Sequence, residues 1–152
     1  MNFQLELAKY KFKISDKVRF AEVDSYGIVH NIQYMYWIEW SRTEYFRNLF
    51  VNMNPGVFIV EYPVMVVHAE IDYFGSAQFG DSYDVFSRIS QVKNSSLKFE
   101  NIIISDKKII LVKASSVLVH LNNKTNQPER IPDALRDKLK VFEGDDVEFI
   151  ND

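Results

Sequence analysis

"AEVDSYGIVHNIQYMYWIEW", residues 21–40, changes character halfway. Asp24, Tyr26, Gly27, His30 and Asn31 are residue types of loops and polar sites, whereas the run from Ile32 to Trp40 suits a protein interior. From about His30 to Phe50 there is no Gly or Pro, which predicts one long helix. Its apolar residues, Ile32, Met35, Tyr36, Trp37, Ile38, Trp40, Tyr45, Phe46, Leu49 and Phe50, cover most of the circumference. A helix apolar nearly all round is expected to be buried. Its few charges can pair at i,i+3 spacing, Glu39 with Arg42 and Glu44 with Arg47.

On the N-terminal side, "MNFQLELAKYKFKIS" and "YKFKISDKVRF" alternate apolar and polar residues, predicting a strand with one buried face over Tyr10 to Phe20. On the C-terminal side, "NMNPG" at 52–56 ends the helix. Almost unbroken strand signal follows: "MVVHAEIDYF", the bend "GSAQFGD", "SYDVFSRISQV", then "LKFENIIIS" and "IILVKASSVLVHL" across the turns "KNSS" and "DKK". After the polar loop "NNKTNQPERIP", "DALRDKLKVFEG" predicts a short helix with Asp133 as its N-cap. Short turns between consecutive strands imply antiparallel pairing. The expected class is α+β: a curved antiparallel sheet wrapped around one long central helix, without βαβ alternation.

With 152 residues, the expectation is a single domain over 1–152 with a respectable core. A hydrophobic content of 47% and 14% aromatics are globular values. The net charge of -3 and the lack of a basic stripe argue against nucleic acid as a ligand. Zero cysteines exclude disulfides and thiolate chemistry and fit a reducing cytoplasm. No run is apolar enough for a membrane span, so the expectation is a cytoplasmic protein with no membrane partner.

The chemistry points back to residues 24–31. A helix N-terminus presents unpaired N–H groups and the positive end of the dipole, which suit a carbonyl oxygen that becomes an anion during acyl transfer. Asp24 lies a few residues upstream, and Gly27 permits a tight turn that could set its carboxylate across that carbonyl. Equally, Asp24 could be a turn or capping residue and Gly27 plain punctuation. His30 could be a general base or a polar residue of the helix start. His68 and His120 share no metal-ligand spacing with it, no serine-nucleophile elbow or phosphate loop appears, and no metal or redox cofactor is implied. Arg88, Lys93 and Arg130 are candidate phosphate contacts or ordinary surface charges.

From Val18 to Phe46, "VRFAEVDSYGIVHNIQYMYWIEWSRTEYF" resembles the signature of hotdog-fold acyl-CoA thioesterases of the 4-hydroxybenzoyl-CoA thioesterase type. The matching positions are Asp24, Gly27, Val29, His30, Asn31, Tyr34, Glu39, Arg42, Thr43 and Glu44. "AEIDYFGSAQFGDSYDV" is similar to the family's second strand and its corner, with Ser76 in place of the common Pro. Ile28 and Asn31 depart from the His or Tyr that relatives carry, which leaves the acyl group open. The resemblance implies a hotdog fold and hydrolysis of an acyl-CoA substrate. It implies Asp24 as nucleophile or general base, and the Asn31 N–H as the group that polarises the thioester carbonyl. Tyr26, Gly27, His30 and Tyr34 are then substrate-binding candidates, and the working unit is a homodimer or homotetramer with shared sites. An acyl-carrier-protein thioesterase and a non-catalytic acyl-CoA-binding hotdog protein are the alternatives.

Overall fold

The computed structural model describes residues 3–151. A short helix α1 (Phe3–Leu7) leads into β1 (Phe12–Lys17), then a single turn of 3-10 helix at Phe20–Glu22, and the long helix α2 (Gln33–Leu49). A second short helix, α3 (Pro55–Glu61), precedes four long strands, β2 (Val64–Tyr73), β3 (Ser82–Val92), β4 (Ser96–Ser105) and β5 (Ile110–His120). Helix α4 (Asp133–Glu143) and the two-residue strand β6 (Glu148–Phe149) complete the chain. The strands form one sheet in the order β1-β3-β4-β5-β2, antiparallel throughout, with β6 adding a short parallel pair to β3. The sheet wraps the central helix, which is the hotdog arrangement that the resemblance implies.

Helix α2 buries one face rather than its whole circumference. Tyr34, Trp37, Ile38, Ser41, Tyr45, Phe46 and Leu49 recur at three- and four-residue spacing and face the sheet. Ile32, Tyr36 and Trp40 stand exposed on the other side. The expectation of burial all round therefore fails for this chain alone. Apolar character does not say which chain's atoms provide the cover, and the sheet of one chain covers only one side.

The core falls into two halves along the helix. Tyr34, Trp37 and Ile38 pack with Val29, Ala77, Tyr83, Val85, Ile103 and Val112 near the helix start. Tyr45, Phe46 and Leu49 pack with Ile89, Phe99, Leu118, Leu135 and Leu139 toward its end. A small polar layer separates the halves. Ser41 Oγ and Ser87 Oγ lie 2.5 Å apart, and Asn101 Nδ2 donates to Ser87 Oγ at 2.7 Å.

Other expectations are corrected in detail. Part of the N-terminal alternation is helical, so β1 begins only at Phe12, and Phe20 lies in the 3-10 turn. The stretch after "NMNPG" forms α3 before β2, with Asn54 as its N-cap accepting from Gly56 N–H at 2.8 Å. Strands β2 and β3, consecutive in sequence, lie on opposite sides of the sheet instead of pairing as a hairpin. Pro132, not Asp133, occupies the N-cap of α4, while Asp133 forms an ion pair with Arg130 at 2.8 Å. The Glu44–Arg47 pair forms at 3.0 Å, whereas the Arg42 guanidinium reaches Ser116 Oγ at 3.4 Å. No helix among the described residues is long and apolar enough to cross a membrane.

Candidate active site

A tight hairpin delivers the chain to the start of α2. Val23 and Val29 form an antiparallel bridge, Asp24 N–H donates to Ile28 O at 2.8 Å, and His30 N–H donates to Glu22 O at 3.0 Å. Gly27 sits in the turn with φ +77°, a left-handed conformation that glycine adopts without steric cost. The Asp24 side chain closes the same turn. Its Oδ1 accepts the Tyr26 N–H at 2.8 Å and the Ile28 N–H at 3.4 Å. The turn-capping reading of Asp24 is thus met by Oδ1, while Oδ2 takes no hydrogen bond among the described residues.

The hairpin is latched to the bend between β2 and β3. Val29 N–H donates to Ala77 O at 2.9 Å, Phe79 N–H to Gly27 O at 3.4 Å, and Ile28 bridges Gln78. Beneath it, Glu22 is buried and accepts from Trp37 Nε1 at 3.3 Å and from Arg19 N–H at 3.0 Å. Trp37 in turn stacks on Tyr83, with ring centroids 3.8 Å apart. These contacts fix the hairpin's base to the first turns of α2, so Asp24 and the helix start belong to one rigid unit.

Helix α2 opens with unspent donors. His30 O accepts Gln33 N–H at 2.9 Å and Ile32 O accepts Met35 N–H at 3.0 Å. Among the described residues, no acceptor takes the backbone N–H of Asn31 or Ile32. Ile32, the N-cap, also makes no side-chain cap bond. Two orphan donors stand at the positive end of a 17-residue helix, an arrangement chemically able to donate to an oxygen gaining negative charge.

The other sequence candidates separate. Tyr26 is 87% exposed, so its ring stands clear of this chain and only its backbone N–H joins the turn. His30 is exposed at the helix start, next to Asn31. Tyr34 is only 2% exposed; its hydroxyl oxygen accepts the Ala77 N–H at 3.0 Å and burial raises its pKa. Tyr34 therefore supports the site from below rather than presenting a surface to solvent. Arg88 is removed from the phosphate candidates, since it is buried, pairs with Glu100 at 2.7 Å and donates to Asp146 O. Arg130 is already occupied by Asp133. His68 and His120 lie apart, the first beside Glu70 on β2, the second buried against Pro63 O with its pKa lowered by that burial. Among the described residues, no three His, Asp or Glu side chains gather as a metal site.

One residue escaped sequence reasoning. Tyr73, the last residue of β2, donates its hydroxyl to Asn31 O at 3.1 Å and packs edge-on against Tyr34 at 5.9 Å. Only its aromatic character near a strand end could have drawn notice. A further cavity of about 530 Å³ opens between α2, α3 and β2, lined chiefly by Phe46, Phe58, Ile59, Tyr62, Val66 and Leu118.

A family model described as the thioesterase-like superfamily matches residues 18–139. The acyl-CoA thioesterase YbgC of Haemophilus influenzae is 28% identical over 89 residues, 59% of this chain and 65% of that protein. The chloroplastic acyl-acyl carrier protein thioesterase ATL3 of Arabidopsis thaliana is 26% identical over 127 residues, 83% of this chain. The chain spans about two thirds of the length of these two relatives, 65% and 66%. Among solved structures, a Thermus thermophilus thioesterase complexed with coenzyme A and Zn superposes with a TM-score of 0.78 at 26% identity, covering 90% of this chain and 96% of that one.

Proposed function

The chain belongs to the thioesterase-like superfamily, and from that premise we propose that it hydrolyses an acyl-CoA thioester to the free acid and coenzyme A. One observation carries the reading: a single latched hairpin holds the Asp24 carboxylate, with one oxygen uncommitted, just before a helix start whose Asn31 N–H is unspent. Asp24 takes a proton from water as that water attacks the thioester carbonyl carbon. The carbonyl oxygen becomes an oxyanion at the Asn31 N–H and the positive end of α2. The tetrahedral intermediate then collapses, the C–S bond breaks and CoA leaves as a thiolate, which recovers a proton from Asp24 or solvent. Direct attack by Asp24 through an acyl-enzyme anhydride uses the same groups and yields the same products.

Relatives named as acyl-CoA thioesterases and the Thermus thermophilus neighbour solved with coenzyme A support the CoA ester as substrate. The ATL3 relative supports a second reading, hydrolysis of an acyl-carrier-protein ester. An acidic carrier protein would need a basic docking face, which a chain of net charge -3 offers less readily. We propose further that the protein works in the cytoplasm as a homodimer or homotetramer.

The test is thiol release from a panel of aromatic, short-, medium- and long-chain acyl-CoA esters, run beside matched acyl-carrier-protein esters. Hydrolysis of at least one CoA ester, faster than its carrier-protein counterpart, is the expected result. Faster carrier-protein hydrolysis would transfer the assignment to the second reading. Binding of acyl-CoA without any thiol release would leave a non-catalytic acyl-binding protein.

A further inference from the structure

Three successive carbonyls stand at the entrance to α2, and the backbone ladder uses the first and third. His30 O and Ile32 O accept Gln33 and Met35 N–H, while Asn31 O between them is taken by the Tyr73 hydroxyl at 3.1 Å. The helix thus borrows an anchor from the sheet, from a residue 42 positions further along the chain.

That anchor has a directional consequence. A trans peptide is planar, so its C=O and the following N–H point in opposite directions and turn as one body. No cis peptide is present among the described residues. Holding Asn31 O toward β2 therefore aims the unspent Ile32 N–H the opposite way, and rocking of this peptide would spoil that aim. The neighbouring peptide, which carries the Asn31 N–H, is held independently by the bond from Gln33 N–H to His30 O. Tyr73 itself is steadied by its edge-on contact with Tyr34, whose hydroxyl is tied to the Ala77 N–H. Tyr73 also pairs with Val112 of β5 through the backbone.

We propose that Tyr73 is a positioning residue for thioester hydrolysis: its hydroxyl fixes the Asn31–Ile32 peptide so that the Ile32 N–H joins the Asn31 N–H as a second oxyanion donor. The proposal rests on the thioesterase reading above. Donors stabilise an oxyanion best when already aimed before charge develops, because no reorganisation is then needed in the transition state. Tyr73 acts through the peptide that its hydroxyl holds.

The Tyr73→Phe variant tests this, since it keeps the ring against Tyr34 and deletes only the hydroxyl. Turnover at saturating substrate is expected to fall about tenfold with KM within about twofold of wild type, the pattern of an interaction made in the transition state. Affinity for free CoA and the thermal midpoint should hold, because one half-exposed neutral hydrogen bond adds little to global stability. The amide nitrogen resonance of Ile32, in the peptide whose carbonyl loses its partner, should shift in the variant, a readout independent of turnover. Retention of more than about half the wild-type turnover, or a loss confined to KM, overturns the proposal. A wild-type protein that releases thiol from no ester would overturn the thioesterase reading and this proposal together, whereas an active wild type matched by Tyr73→Phe overturns the proposal alone.

Discussion

Asp24 divides its carboxylate between two tasks, and that division makes a clean substitution possible. Oδ1 accepts two turn N–H groups, from Tyr26 and Ile28, and an amide oxygen can accept both. Asp24→Asn is therefore expected to fold and melt like wild type. The proton-accepting or nucleophilic role has no such substitute, so turnover should fall by roughly 10²–10⁴. Side-by-side turnover and thermal melting check this, and a folded variant that keeps more than about a third of wild-type turnover removes Asp24 from the mechanism. The cap and catalytic readings of Asp24 could both be read from the sequence because both depend on a few adjacent residues. Gly27 was legible for the same reason, its positive φ being a local demand of the turn. Tyr73 was not, since its role is created by a contact across 42 residues. Tyr34 falls between these cases. Its spacing to Trp37 and Ile38 marks the buried face of α2, but the resemblance draws it toward the substrate while packing puts it underneath.

At the scale of elements, strand-rich runs bounded by turn residues located all four long strands, although only β3, β4 and β5 carry buried positions and β2 carries none. The short helices were harder. Residues 3–7 alternate as a strand would, and α3 is an apolar run whose type only its packing decides. The function of α4 was also hidden, for it ends by inserting a carboxylate into the core. Glu143 is fully buried; its Oε1 accepts from the Tyr45 hydroxyl at 2.5 Å and from the Ile89 N–H at 3.0 Å, and Oε2 has no partner among the described residues. Burial raises its pKa above the ordinary 4.5, against the opposing pull of Tyr45, the Ile89 N–H, Lys11 and Arg88. A raised native pKa means that the folded protein holds this proton more tightly than the unfolded chain. Its contribution to stability is therefore full below 4.5 and is lost as pH rises through the native value. Glu143→Gln cannot titrate, so the stability of the variant relative to wild type should climb over that range and then level. Urea unfolding of both proteins from about pH 4 to pH 8 measures the difference directly, and a difference that falls with pH would mean that the hydrogen bonds to Glu143 outweigh its burial.

The whole molecule leaves one side unfinished. Strand β2 pairs with β5 along one edge only, and its other edge, ten residues long, meets no strand among the described residues. Met65 and Val67 on that strand are each 52% exposed, and Ile32, Tyr36 and Trp40 stand exposed on the outward side of α2. Strand order decides this. Because β2 lies at the edge while β3 begins on the opposite side, one flank of the helix is left without a sheet to cover it. The sequence could report that α2 is apolar nearly all round but could not say whose atoms would cover its second face. A long open edge beside exposed aromatics is a template for association, and proteins that keep one usually cover it. A two-fold pairing of β2 with its copy would satisfy the free backbone groups and shelter the patch by the same operation. The expected solution state is therefore a homodimer or a multiple of it, with light scattering on a dilute sample giving at least two chain masses. Met65→Lys combined with Val67→Lys places charges on the edge while sparing the Asp24 hairpin and Tyr73, and should shift the mass toward one chain. If the shared-site model holds, turnover falls along with the mass. A wild-type monomer with full turnover would instead confine the whole site to the hairpin and helix start of a single chain.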